Sequence, residues 1–368
     1  MKENIKIIYL YNINENYLGV INKIDLQIKE FKKSQIEVKK VNLYKGSLLA
    51  KILNKIPIIP NYSSIKAYKE LNKNKYDHVY IRKTNMDLLF LLAIRRARRK
   101  HNRMKIMLEI PTYPYDKERT RFFDKILLFS DKFIRNFLKN YIDIIFTYSQ
   151  DKEIFNIPTI NLSNAANTKL RKKKIVVSNS INIVAVANFD FWHGYDRFIK
   201  GLENYYKNGG TRKIVLNLVG EGKEIKYYKS IASDLIESGN IVFHGTKFGN
   251  DLEDIYDACE IGLDAMGRHR SNIFYNSSLK GKEYGCVGLP IVSGVKTELD
   301  YDEKYKFYLR VPANESMINI DDVIRFYDRV YYSDCDKEKI VDEIRNYTIQ
   351  NFDVSVVWNK VIKFINSK

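Results

Sequence analysis

The chain has 368 residues, enough for two domains, and 45% hydrophobic with 29% charged residues excludes a disordered or fibrous polypeptide. Its net charge of +18 is lopsided: residues 1–180 hold 37 Lys and Arg against 16 Asp and Glu, so the first half faces a polyanionic surface, either nucleic acid or the anionic face of a membrane. Cys259, Cys286 and Cys335 stand far apart, without a CxxC pair or a disulfide framework, which gives zinc no ligand set and points to a reducing cytoplasm; no window approaches the roughly 20 apolar residues of a membrane span.

Met1–Leu10 is too short in its apolar run for a signal peptide and reads as a first buried strand at Ile5–Tyr9. A helix follows at Val20–Phe31, then strands at Ile36–Val41 and His78–Ile81, a helix at Asp87–Lys100, a strand at Lys105–Glu109, a long helix at Arg119–Tyr141 and a strand at Ile144–Tyr148. Short hydrophobic strands alternating with helices predict a parallel, doubly wound sheet. Glu109 to Glu118 ends a buried strand with polar and aromatic groups. This suits carbohydrate, and Glu109, Thr112 and Tyr113 are the candidates there for the acceptor and the reacting carbon. A Pro-rich structural turn is the competing reading.

Two helices of this half carry the basic residues. Leu88–Ile94 runs into Arg95, Arg96, Arg98, Arg99 and Lys100. The Arg119–Tyr141 helix sets Phe122, Phe123, Leu127, Phe133, Phe137 and Leu138 on one side and basic groups on others. Either the apolar stripe faces the core, or the helix is interfacial and its basic rim meets anionic lipid.

Residues 168–180, rich in charge and without periodicity, read as a linker between a domain over 1–167 and a second over 181–349. The amphipathic tail at 350–368 is expected to pack back towards the first domain. The second alternation has strands at Ile181–Ala187, Ile214–Val219, Ile241–Phe243, Ile261–Asp264 and Leu289–Val292. Its helices lie at Arg197–Lys207, Ile225–Ser238, Leu252–Asp257 and Lys282–Cys286. Two such Rossmann-like domains facing each other place a ligand in a cleft at the carboxyl ends of the strands.

Chemistry concentrates in the second half. His193 and Gly194 follow its first strand and open a helix, where glycine admits a phosphate close to the backbone and His193 adds a donor. Val219-Gly220-Glu221-Gly222 reads as a tight turn. Arg268 and Arg270 stand in a slightly acidic half, and arginine grips pyrophosphate as a fork. Ser278 to Pro290 spells a short helix whose polar start carries Lys280 for phosphate and Glu283 for a sugar diol, closed by Gly-Leu-Pro; the combination reads as a nucleotide-sugar site. Asp300-Tyr301-Asp302 has the spacing of a metal-binding pair but falls in a late polar loop, and is read as a surface turn.

The segments Asn188–Arg197, Val219–Gly222, Val242–Gly245 and above all Lys280-x-x-Glu283-Tyr284-x-x-x-Gly288-x-Pro290 together resemble the nucleotide-binding half of family 4 glycosyltransferases, retaining and metal-independent enzymes of the α/β GT-B fold. The resemblance covers most of 181–350 and is fainter before it, where Gly19 matches the glycine loop after the first strand and Asn161–Asn167 a loop ahead of the linker. It implies that Glu283 holds the donor ribose, that Lys280 and nearby backbone lie along the diphosphate, and that Tyr284 and Gly194 belong to the same site. It implies no cofactor: the nucleotide diphosphate sugar, expected to be a UDP-sugar, is a substrate. Where the family has a second glutamate this chain has Tyr275, and where it has Arg and Lys it has Asn188 and His193, so Arg270 with Lys280 is the expected replacement clamp. The expected protein is a hexosyltransferase acting on a glycan or lipid-linked acceptor of envelope polysaccharide, at the inner membrane face. A nucleic-acid-binding protein using the basic half, or a nucleotide-sugar epimerase, are the alternatives.

Overall fold

The computed structural model describes residues 5–47, 61–73, 75–116, 122–331 and 336–367. Arg119, Lys117, Glu118 and Cys335 fall outside these, as do the side chains of residues 122–127. The chain divides into two compact units, Met1–Leu162 with Val354–Lys368, and Ser163–Asp353.

Unit 1 alternates β1 (Lys6–Tyr11), α1 (Leu18–Lys33), β2 (Glu37–Asn42), α2 (Tyr62–Lys73), β3 (His78–Arg82), α3 (Leu88–Lys100), β4 (Lys105–Ile110), α4 (Phe122–Leu138), β5 (Ile144–Thr147), β6 (Glu153–Ile154) and β7 (Ile157–Asn161). The sheet order is β2-β1-β3-β4-β5-β7-β6, parallel except for the β6–β7 pair. Ile7 to Leu10, Val79 to Ile81 and Ile106 to Leu108 have no exposed surface, as expected of strands covered on both faces. One face packs α3 and α4 through Phe90, Ile94, Ile134 and Leu138. The other packs α1 and the last helix of the chain.

Unit 2 runs β8 (Ile181–Val186), α5 (Asp196–Lys207), β9 (Ile214–Val219), α6 (Ile225–Ser230), α7 (Ser233–Glu237), β10 (Ile241–Gly245), α8 (Gly249–Ala258), β11 (Ile261–Leu263), α9 (Leu279–Val287), β12 (Ile291–Ser293), β13 (Tyr308–Arg310), α10 (Ile320–Tyr331) and α11 (Lys337–Phe352). Its parallel sheet has the order β10-β9-β8-β11-β12-β13, so the winding reverses between β8 and β11. In sheets of this kind ligands bind outside the carboxyl ends of the strands at that reversal. The helix read across 225–238 is broken into α6 and α7 at Ile231-Ala232.

Residues 168–180 fall within unit 2, where the charges of Arg171, Lys172 and Lys173 are taken up. Arg171 forks onto Asp257 (2.9 Å) and reaches Glu253 (2.8 Å), while the buried Lys173 donates to the Cys259 carbonyl. The final helix, α12 (Val354–Asn366), belongs to unit 1, where Trp358 is 1% exposed and lies 5.5 Å from the Phe31 ring and 5.7 Å from that of Tyr80.

Candidate functional site

At the β8/β11 reversal two loops meet through glycine. Gly194 adopts left-handed backbone (φ +63°), and a Cβ on it would lie 2.5 Å from the Gly267 nitrogen, so no side chain fits. The Met266 N–H donates to the His193 carbonyl at 2.6 Å and fixes the approach. A 3₁₀ turn, Phe191–His193, is capped by Asp190, and the Asp190 N–H donates to His193 Nδ1 at 3.0 Å. The ring therefore carries its proton on Nε2. Burial, with the charges of Lys280 and Arg268, pushes the imidazole down to about 2, so His193 is a neutral N–H donor at any working pH.

Helix α9 starts beside it. Ser278 Oγ accepts the Gly281 N–H (3.2 Å) and donates to Asp264 (2.8 Å), which Ser293 supports from behind (3.2 Å). Gly288 ends the helix in left-handed backbone (φ +94°) ahead of Pro290. Lys280 and Glu283 lie one turn apart and are half-buried, and neither makes a hydrogen bond or close ion pair with any described residue. Burial pulls the Lys280 ammonium down to about 8, helped by Arg268 and opposed by Asp264 and Glu283. Burial raises the Glu283 carboxyl, with Lys280 opposing. An unpaired cation, an unpaired carboxylate, a neutral N–H donor and a helix N-terminus form a set fit for a phosphate joined to a diol.

Three expected members of this set are displaced. Arg270 is not available for phosphate: its guanidinium donates to both oxygens of Asp196 (2.9 Å each), to both of Glu315 (3.0 and 2.7 Å) and to the Phe191 carbonyl. Arg268, two residues earlier, is the arginine whose charge reaches His193 and Lys280. Tyr284 is fully buried, lies on Gly262, donates to the Leu263 carbonyl (3.3 Å) and accepts the Val186 N–H (3.0 Å), so it joins β8 to β11 instead of facing a ligand. Gly19 sits in the first turn of α1, not in a loop, with open space where a Cβ would go. Tyr275 bridges to Lys296 through backbone, and its ring lies 6.3 Å from that of Tyr301. Asp300 and Asp302 are engaged by Tyr308 and Tyr347 (2.8 and 2.7 Å).

Unit 1 carries its own pocket, at the carboxyl ends of β1, β3 and β4. It encloses about 370 Å³ and is lined by Asn12, Lys83, Thr84, Asn85, Ile110–Thr112 and Tyr115. Asn12 donates to Ser63 (2.9 Å) and Thr84 (3.1 Å), leaving its carbonyl and the Thr84 proton available. Lys83 is matched by the buried Asp131 (2.5 Å), which also accepts from Tyr115 (2.5 Å), so the wall is polar without a net charge. Thr112 lines the pocket, whereas Tyr113 packs against Tyr115 and Phe155. Glu109 is a correction. It has no exposed surface, pairs with Arg82, and accepts from Tyr80 (3.0 Å), Tyr148 (3.0 Å) and Tyr9 (3.2 Å). Burial alone would raise its pKa, but Arg82, Lys23 and the tyrosines hold it below the usual range. It is a structural anion beneath the pocket.

Solved structures with this architecture include a glycosyltransferase from Rickettsia africae (13% identity, TM-score 0.60, 98% of each chain covered) and the lipopolysaccharide outer core galactosyltransferase WaaB (12%, 0.63, 98% of this chain and 99% of that one). A third is the Escherichia coli trehalose-6-phosphate structure bound with UDP-2-fluoro glucose (14%, 0.55, 99% of each). The fold is that of the GT-B glycosyltransferases. No protein-family model and no curated protein sequence matches the chain.

Proposed function

We propose that the protein is a hexosyltransferase that moves a sugar from a nucleotide diphosphate donor, a UDP-sugar, to a glycan or lipid-linked acceptor of envelope polysaccharide. The observation that carries this is the unpaired Lys280–Glu283 pair beside the neutral His193 at the strand-order reversal of unit 2. Leaving ionisable groups half-buried and unmatched costs stability, and a ligand that brings the missing partners offsets it. Glu283 would accept from both ribose hydroxyls. Lys280, the His193 N–H and the first N–H groups of α9 would meet the diphosphate and stabilise the charge it gains as the glycosidic bond breaks. The uncharged pocket of unit 1 is sized for a sugar. In the transfer the acceptor hydroxyl would attack the anomeric carbon from the face that the diphosphate leaves, its proton passing to the departing phosphate oxygen, with retention; Glu109 is sealed away as a nucleophile.

The test is release of nucleoside diphosphate from a panel of nucleotide sugars, wild type against Glu283→Ala. Turnover in the wild type that collapses in the variant supports the site, and unchanged turnover removes Glu283 from it. Conversion of the donor to another nucleotide sugar without acceptor would make the protein an epimerase.

A further inference from the structure

The outer surface of α4 does not resemble that of a helix that only faces water. Phe129, Phe133 and Phe137 recur every fourth residue and are 77%, 55% and 39% exposed, and the last two rings meet edge to face with centroids 5.2 Å apart. Core residues Ile134 and Leu138 of the same helix point the other way, so the phenylalanines are not a displaced part of the core. On α3, Leu88 and Leu92 are also exposed (59% and 52%), and the same stripe continues into Arg95, Arg96 and Arg99. No acidic residue occurs in α3, and exposed Lys132 and Lys139 flank the α4 ridge. The two helices pack on the same face of the sheet, and Arg98 of α3 is paired with Asp143 just beyond α4.

From this we infer that the α3–α4 face of unit 1 seats on a bilayer containing anionic lipid, with the phenylalanine ridge entering the headgroup–acyl boundary and the arginines meeting the phosphates. Apolar rings flanked by cations, at helical spacing, are the composition of an interfacial surface. A second copy of the chain fits poorly, because a two-fold contact through this face sets the Arg95–Arg99 cluster against itself. Nucleic acid fits poorly too: stacking needs open ring faces, and Phe133 and Phe137 are packed against one another. The surface also lies beside the pocket. Leu88 follows the pocket residue Asn85 by three positions, and Asp131, which holds the pocket residues Lys83 and Tyr115, lies between Phe129 and Phe133 on α4. If the transferase reading holds, a sugar carried on a lipid in that bilayer would reach the pocket, which makes a lipid-linked acceptor the substrate class.

The experiment is co-sedimentation of the full chain with phosphatidylcholine vesicles, with and without phosphatidylglycerol, alongside nucleoside diphosphate release in the same samples. The wild type should bind only the anionic vesicles and should be released by high salt. Arg95→Gln with Arg96→Gln and Arg99→Gln should lower partitioning roughly a hundredfold, from about fivefold per side chain. Phe129→Ser with Phe133→Ser should lower it roughly tenfold or more per ring. All five side chains are exposed, so the thermal midpoint should stay unchanged in both variants. The proposal is overturned if the wild type ignores both vesicles, or if the serine variant binds like the wild type. It is overturned equally by a dimer that the serine substitutions dissolve, or by RNA binding that takes the place of vesicle binding. Failure on vesicles with diphosphate release intact refutes this surface alone. Vesicle binding without release refutes the transferase reading and leaves the surface standing.

Discussion

Binding of a nucleoside diphosphate to unit 2 should weaken as the pH rises through about 8, because Lys280 loses its proton there. In the free protein the ammonium is half-buried near the Arg268 charge. A bound diphosphate places negative charge beside it and raises its pKa, so the complex keeps a proton that the free protein gives up. Affinity is then nearly flat near neutrality, is halved at pH 8, and falls about fivefold, or about 1 kcal/mol, from pH 8 to pH 9. His193 adds no slope, since its imidazole is neutral throughout. Calorimetric titration at pH 7, 8 and 9 reads the effect. Lys280→Met should bind more weakly at pH 7, by about 1.5–3 kcal/mol for one charged hydrogen bond, and show no decline across the range. The same group makes the free protein more stable from pH 8 towards 10.5, because the folded state holds fewer protons there than the unfolded chain. An affinity that is flat in the wild type, or that falls equally in Lys280→Met, refutes the assignment.

Glu283→Gln should weaken nucleoside diphosphate binding by about 2 kcal/mol. It should also raise the thermal midpoint at pH 7, since the folded state holds the Glu283 proton more tightly than the unfolded chain does; that gain should disappear in acid, and a lower midpoint at pH 7 would contradict it. Arg270→Ala leaves the buried Asp196 without its fork and should cost about 3 kcal/mol in urea denaturation, with nucleotide affinity unchanged; a large affinity loss would return Arg270 to the phosphates. Glu109→Ala strands Arg82 in the core and should cost about 3–5 kcal/mol, whereas full stability with lost turnover would make Glu109 a chemical participant.

The alternation of strands and helices was legible because buried parallel strands leave short apolar runs, as at Ile7–Leu10 and Ile106–Leu108. The α9 motif was legible because a capping serine, a helix and a left-handed glycine have local rules. What could not be read was which charges are already taken. Arg268 and Arg270 are the same residue type two positions apart, and only the fold brings Asp196 and Glu315 to Arg270. Glu109 likewise differs from a site carboxylate only through Tyr9, Tyr80 and Tyr148, which arrive from other strands. Asn12, Lys83 and Asn85 were missed although each follows a predicted strand, the place where the pocket of such a sheet lies. Helices α10 and α11 went unassigned despite the spacing of Ile320, Val323, Phe326, Tyr327 and Val330 along the first of them.

Helix α12, translated after all of Ser163–Asp353, completes the sheet of unit 1. Until α12 emerges, Tyr80, Phe146 and Phe31 lack the Trp358 and Phe364 rings that cover them, while the whole of Ser163–Asp353 is already available to fold. During synthesis the nascent chain therefore carries an apolar sheet face, open to chaperones and to aggregation, for as long as unit 2 takes to be translated. A stop codon shortly after residue 353 would leave unit 2 its full sequence and disable the other unit, so a lesion would be felt some two hundred residues upstream of itself.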